Sequence, residues 1–414
     1  MRRLVTAASL TLASSAFAGL VNFGSQVWFA RSLGINTISE YAYAFVATQI
    51  VTLAFNFGVN QGVIYAGFSK ENLRDAWIFQ TRLISFLILI AVLIFLAGSF
   101  LLPAHAGNLA KLSAVSIGGY ALTLFGHIAN VKRESELRYG QIAVVRAVSY
   151  VGANAVGIGL CFFFTNAFPM VIRDCFFGLA FSLLAIFGAD PLTRNIMFSC
   201  GPFSTLSINN SRLMSVTKKN WIVSLGSAGI LRLDYAIGAA LLGKTSFGVY
   251  YQMRALVEGA IGLVLSTIQS VLFSHFAGAG RGIDVKTFTR ILWVVVLTLS
   301  LVGVGVAATF GSAVIRLVLG PDWVAGAPAL VGLVAYSIYR TAFEALTVQA
   351  RATARYWVVL SGQVVWAACL MVSLPFLVAT YGVFGAGVGA AVSAFAGLGL
   401  SVVLLRRATP VRAS

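Results

Sequence analysis

Charge is scarce in this chain. Asp and Glu together number 12 and Lys and Arg 29 among 414 residues, so charged side chains make up 10% of the whole, against about a quarter in ordinary globular proteins. That leaves too little polar surface to coat a body in water. Cysteine occurs four times, too rarely for a disulfide scaffold, and Cys161, Cys175, Cys200 and Cys369 form no C-x-x-C pair. The three histidines, His105, His127 and His275, show no metal-ligand spacing. Gly278-Ala279-Gly280-Arg281-Gly282 lacks the Lys-Ser/Thr ending of a phosphate-binding loop and follows an apolar run rather than a strand. Neither a catalytic constellation nor an ATP site is therefore expected, and no cofactor and no metal are implied.

What the chain has in quantity is apolar length, with 59% hydrophobic residues. Stretches long enough to cross about 30 Å of hydrocarbon fall at 4–30, 41–67, 83–103, 108–130, 147–165, 168–188, 221–243, 247–276, 291–315, 325–350, 356–379 and 383–405. Lipid offers the backbone no hydrogen bonds, so such spans are helices or a closed barrel. Barrel strands alternate in polarity, which the run from Leu83 to Leu102 does not. The expectation is an all-α polytopic membrane protein of about twelve transmembrane helices. Met1-Arg2-Arg3 and Ala16-Phe17-Ala18 imitate a secretory signal, but the apolar run continues to Ala30, so an uncleaved first helix is expected. Asn209-Asn210-Ser211 matches a glycosylation acceptor, in an interval assigned to the cytoplasm.

The net charge of +17 would suit nucleic acid, yet no base-reading module is visible and the basic residues follow the spans. With the amino terminus in the cytoplasm, only Arg31, Lys111, Arg173, Lys244 and Arg316 fall in outer segments, Arg232, Arg254 and Arg340 fall within spans, and the rest face the cytoplasm. That asymmetry is the positive-inside rule and puts both termini inside. Trp28, Trp77, Trp221, Trp323 and Trp357 near span ends suit the headgroup region.

The interval 189–220 is the longest polar stretch and divides the spans six and six. The expected organisation is a six-helix lobe over 1–188, a cytoplasmic linker over 189–220 and a second six-helix lobe over 221–414. Leu33-Gly34 followed by Tyr41 recurs as Leu242-Gly243 followed by Tyr250, each displaced by 209 residues. An even number of spans per half gives both copies one orientation, as in parallel-repeat transporters, with a central cavity expected between them.

Charges inside a span cost about 2.5–3.5 kcal/mol each on insertion scales, so they are candidates for function. Arg232, Asp234, Arg254, Glu258, Arg340 and Glu344 all lie in spans of the second half. The pairs 254/258 and 340/344 are spaced i,i+4 and can pair on one face; the alternative to a cavity role is an ion pair that locks helix to helix. Asn22, Gln26, Asn56 and Asn60 supply amides in the first two spans, either to a hydrated cavity or to interhelical hydrogen bonds. Arginine matches phosphate geometry and keeps its charge.

The run Ala30-Arg31-Ser32-Leu33-Gly34 with Tyr41, then Arg232-Leu233-Asp234, Leu242-Gly243, Phe247-Gly248-Val249-Tyr250 and Leu319-Gly320-Pro321-Asp322-Trp323, resembles the polysaccharide and oligosaccharide flippases of the multidrug/oligosaccharidyl-lipid/polysaccharide exporter superfamily. Ile35 stands where that family usually has proline, and Ile38-Ser39 where it has Phe-Gly. The resemblance implies a transporter rather than an enzyme. Its substrate would be a polyprenyl-diphosphate-linked oligosaccharide, moved from the cytoplasmic to the outer leaflet of a bacterial inner membrane by alternating access. That serves lipopolysaccharide O-antigen or exopolysaccharide biosynthesis. Membrane lipids and a polysaccharide polymerase machinery would be its partners, and Asp234, Glu258 or Glu344 its ion carrier. A drug or metabolite antiporter of the same superfamily is the first alternative. A membrane glycan polymerase or ligase is the second, and the short outer loops speak against it.

Overall fold

The computed structural model describes residues 2–55, 59, 63, 69–136, 138–199, 211–259, 285–352 and 355–407, and among them there is no strand. The helices in order are α1 (Arg2–Ala54), α2 (Lys70–Phe100), α3 (Ala104–Ser135), α4 (Tyr139–Leu160), α5 (Phe168–Phe187), α6 (Pro191–Ser199) and α7 (Ser211–Leu241). Then come α8 (244–259), α9 (Val285–Val318), a 3-10 turn (Pro321–Gly326), α10 (Ala327–Ala352) and α11 (Tyr356–Arg407). α1 breaks at Gly34, with φ 74° and ψ 173°, and α11 breaks at Gly382, with φ 56° and ψ −130°. A side chain at Gly34 would be strained at that φ, which is why the echoed Leu-Gly marks a span end. With those two breaks, helix stands at each expected span position wherever its residues are described; parts of 41–67 and most of 247–276 lie outside them. Seven helices among the described residues are long and apolar enough to cross a membrane, and the protein is a polytopic all-α one.

The chain forms two compact units, one of Met1–Ser25 with Glu40–Gly229, the other of Gln26–Ser39 with Ile230–Ser414. The segment Gln26–Ser39 joins the second unit for local reasons. Arg31 donates from Nε to the Val318 carbonyl at 2.7 Å and from Nη2 to the Leu317 carbonyl, so a cation caps the carboxyl end of α9. Gln252 donates to the Gln26 carbonyl at 3.2 Å. In the first unit α3 packs between α2 and α5; in the second α10 packs between α9 and α11.

Two features depart from expectation. The interval expected as a linker holds α6 and the start of α7. Asp190 accepts from the amides of Leu192 and Thr193 at 3.1 and 3.2 Å and so caps α6, while Ile196 and Met197 bury against Leu73, Trp77 and Ile128. Burial there outweighs the local polarity. Nor are the tryptophans one belt: Trp28 and Trp357 are exposed, but Trp77 and Trp323 are buried. Trp77 packs at a tilt against Phe125, ring centres 5.5 Å apart, inside the apolar core.

Candidate functional site

The second unit carries a chain of ion pairs across three helices. It begins on α7, where Asp234 is buried, 1% exposed, and pairs with Arg254 of α8, also 1% exposed. One turn on along α8, the Glu258 carboxylate accepts from Arg254 Nε at 3.2 Å, and its same oxygen accepts from Arg340 of α10 at 2.7 Å. Arg340 Nε in turn reaches Glu344 at 3.2 Å. Both i,i+4 pairs read from the sequence are formed, because residues one turn apart share a helix face. What periodicity alone does not give is the crossing from 234 to 254 and from 258 to 340.

Sealing an ion pair inside protein loses hydration, and only good geometry with further hydrogen bonds repays it. The Asp234–Arg254 pair has further hydrogen bonds. Tyr250 donates its hydroxyl to Asp234 at 2.9 Å. Arg254 donates to the Tyr336 hydroxyl at 3.0 Å, and its guanidinium lies 3.9 Å from the Tyr235 ring centre and 4.9 Å from that of Tyr336. Aromatic faces attract a desolvated cation. α8 starts just after Gly243, whose carbonyl accepts the Phe247 amide, and Gly248 lets it lie close against Ser39 of α1: a methyl group at 248 would lie 2.0 Å from the Ser39 hydroxyl.

Away from that sealed end the chain opens. Arg340, Glu258 and Glu344 are 27%, 30% and 39% exposed. Guanidinium and carboxylate groups in the middle of membrane helices are too costly to show to hydrocarbon, so the exposed edge of α8 and α10 faces water. Arg232, half-buried on α7, adds its charge to the field at Glu258. The six charges singled out in the sequence thus converge, as a sealed structural pair and a wet edge.

The amides are divided. Gln26 is buried in the second unit. Asn22 is half-buried in the first, where its carbonyl accepts the Ser25 hydroxyl at 2.8 Å. Asn56 and Asn60 lie outside the described residues, as do Asn209, Asn210, His275, Cys200 and the glycines near 280. Among the described residues no cluster of His, Cys, Asp and Glu could hold a metal.

Sequence reasoning missed the tyrosines. Tyr235, Tyr250 and Tyr336 frame Arg254, and only Tyr250 was signalled, by its echo with Tyr41. Tyr41 proves to have the matching job in the first unit: its hydroxyl donates to Asp174 at 2.6 Å and accepts from Arg173 at 3.0 Å. Arg173, read as an outer-segment cation, is buried in α5 and pairs with Asp174 at 2.7 Å. Each unit therefore seats a repeat-related tyrosine on a carboxylate–arginine pair, although the partners come from unrelated places in the sequence.

The comparisons give the family. The model for "Polysaccharide biosynthesis protein" matches residues 29–328, and the chain belongs to that family. No curated protein matches. Among solved structures the chain is similar to the lipid II flippase MurJ in an inward closed conformation, with 12% identity, TM-score 0.72 and coverage of 96% of this chain and 87% of that one. It is also similar to a superfamily transporter from Pyrococcus furiosus, at 15% identity, TM-score 0.58 and 97% and 94% coverage. A third is the MATE transporter VcmN of Vibrio cholerae, at 14% identity, TM-score 0.57 and 98% of each chain. These three similar structures are of a flippase and of transporters.

Proposed function

We propose that this protein moves a polyprenyl-diphosphate-linked oligosaccharide from the cytoplasmic to the outer leaflet of a bacterial inner membrane. The motion is alternating access coupled to H+ or Na+, with both termini in the cytoplasm, and it feeds O-antigen or exopolysaccharide assembly by a polymerase machinery. The observation that carries the reading is Arg340, a permanently charged, fork-shaped donor in the middle of a membrane helix and 27% exposed. A guanidinium there suits the oxygens of a diphosphate, and Arg232 supports it from α7. Membership of a polysaccharide biosynthesis family agrees with it. MurJ, similar in fold, is a lipid II flippase.

The test is flipping of a fluorescent polyprenyl-diphosphate-linked glycan in proteoliposomes, with and without ion gradients. Arg340→Ala should slow flipping by about tenfold or more, since a hydrogen bond to a charged group is worth about 1.5–3 kcal/mol, while insertion stays as in wild type and melting falls with the loss of its bonds to Glu258 and Glu344. A wild-type rate in that variant would overturn the assignment. A cation-coupled drug antiporter is the second reading, favoured by the half-exposed Glu258 and Glu344, which could hold a cationic dye; saturable dye efflux with no glycan flipping would establish it instead.

A further inference from the structure

At one end of the second unit, where α9 begins and α11 ends, arginines gather with no acid in either helix. Arg290 lies in the second turn of α9, Arg406 and Arg407 close α11, and all three are exposed. Neither Val285–Val318 nor Tyr356–Arg407 contains an Asp or a Glu. The two helix ends are tied together: Arg406 donates from Nε to the hydroxyl of Thr289, the neighbour of Arg290, at 2.9 Å. Arg355, just before α11, donates to the Leu405 carbonyl at 3.3 Å and so steadies the last turn, which carries Arg406 and Arg407. Three guanidinium groups from two helices thus meet along one seam.

These cations stand at the foot of apolar stripes. Helical period puts Arg290 in line with Val294, Leu297 and Leu301 on α9, and Arg406 in line with Val392, Phe395 and Val403 on α11, all of them exposed. In a membrane chain such stripes face hydrocarbon. The height of the seam is that of a headgroup. Arg290 and the exposed Arg316 are 26 positions apart on α9, about 39 Å of helix against about 30 Å of hydrocarbon. An upright α9 carries each arginine about 4–5 Å beyond the hydrocarbon, and a tilt of about 20° still leaves about 3 Å. Arginine keeps its charge, and its fork matches phosphate oxygens.

We propose that the α9–α11 seam binds an anionic phospholipid of the phosphatidylglycerol kind, its phosphodiester held by Arg290, Arg406 and Arg407 and its acyl chains lying along Val294, Leu297 and Val403. Basic pockets between membrane helices recognise acidic lipid heads through this chemistry. α9 and α11 pack mainly on α10 and little on each other, so the bound headgroup bridges them and stabilises the unit. Such a site stands whether or not Arg340 binds a diphosphate.

The test uses the purified full chain in neutral detergent and follows its melting temperature on titration with phosphatidylglycerol, phosphatidylcholine or inorganic phosphate. Phosphatidylglycerol should raise the melting temperature saturably, and the other two should not. Arg290→Gln/Arg407→Gln, which spares the bond from Arg406 to Thr289, should weaken the apparent affinity about thirtyfold, the equivalent of about 1 kcal/mol for each basic residue near an anionic lipid surface. Arg138→Gln removes an exposed cation of the first unit and should leave the affinity unchanged. An equal response to phosphatidylcholine, or to inorganic phosphate at the same concentration, overturns the lipid site. So does a loss in Arg138→Gln as large as in the double variant, which would make the attraction one of overall charge. Arg407→Gln alone, at the exposed last residue of α11, decides the matter should the double variant fail to fold: it should weaken binding about fivefold, and unchanged binding refutes the seam.

Discussion

The buried pair Asp234–Arg254 gives a sharp energetic prediction, because both side chains are 1% exposed and solvent screening has little to act on. Arg254→Met keeps an unbranched stem but leaves the Asp234 carboxylate with the Tyr250 hydroxyl at 2.9 Å and no countercharge from residue 254. Stranding a buried charge in this way costs about 3–5 kcal/mol. Asp234→Asn is milder: Arg254 keeps Glu258 at 3.2 Å and the Tyr235 and Tyr336 rings, so the loss is about 1.5–3 kcal/mol, that of a charge-assisted hydrogen bond. In the double variant no carboxylate is left stranded at position 234, and the amide that replaces it can still accept from Tyr250. It should be less destabilised than the sum of the singles by about 2–3 kcal/mol. Equilibrium unfolding in mixed micelles, followed by tryptophan fluorescence, measures all four proteins. If the two losses simply add, or if Arg254→Met costs under about 1 kcal/mol, the pair is not the buried countercharge described here.

Two further substitutions probe packing and capping. A methyl group on Gly332 would lie 2.2 Å from the carbonyl carbon of Gly387, and backbone cannot rotate aside, so Gly332→Ala should separate α10 from α11 and cost about 1–3 kcal/mol; Gly305→Ala, with nothing within 4 Å, should be neutral or stabilising in the same melt. At the cap of α6, burial works to raise the Asp190 carboxyl, but hydrogen bonds from Thr193 and the Lys132 ammonium at 3.1 Å hold it below its ordinary value. A depressed carboxyl stabilises above its unfolded value of about 3.9 and loses that contribution as pH falls through the folded one. The stability gap between wild type and Asp190→Asn should therefore be level from neutrality to about pH 5 and close below about pH 4.

How much of this was legible can be followed residue by residue. Spans were readable because lipid demands about twenty apolar residues in a row, a local property. The breaks at Gly34 and Gly382 were legible for the same reason, since a positive φ is a demand on one residue. Helix α6 was not, because its warrant is the burial of Ile196 and Met197 on α2 and α3, which a short polar-looking stretch does not advertise. Trp77 was misplaced at the interface because sequence tells that an aromatic lies near a span end but not whether it turns towards lipid or towards Phe125. The pairs 254/258 and 340/344 followed from helical period; Arg173 did not, since only its contact with Tyr41 distinguishes a buried cation from a headgroup one.

The sequence by itself determined that the chain lives in lipid, crosses it as helices, repeats a Leu-Gly-to-Tyr signature at a spacing of 209 residues, and keeps six charges where charge is costly. These are properties of composition and short-range period, written within one helix turn. Only the tertiary structure decided which of those charges are sealed and which are wet. Asp234 and Arg254 are 20 positions apart, and Glu258 and Arg340 are 82 apart. Nothing local in the chain says that α7, α8 and α10 meet there, or that three tyrosines gather around one guanidinium while Arg340 and Glu344 are left open to water.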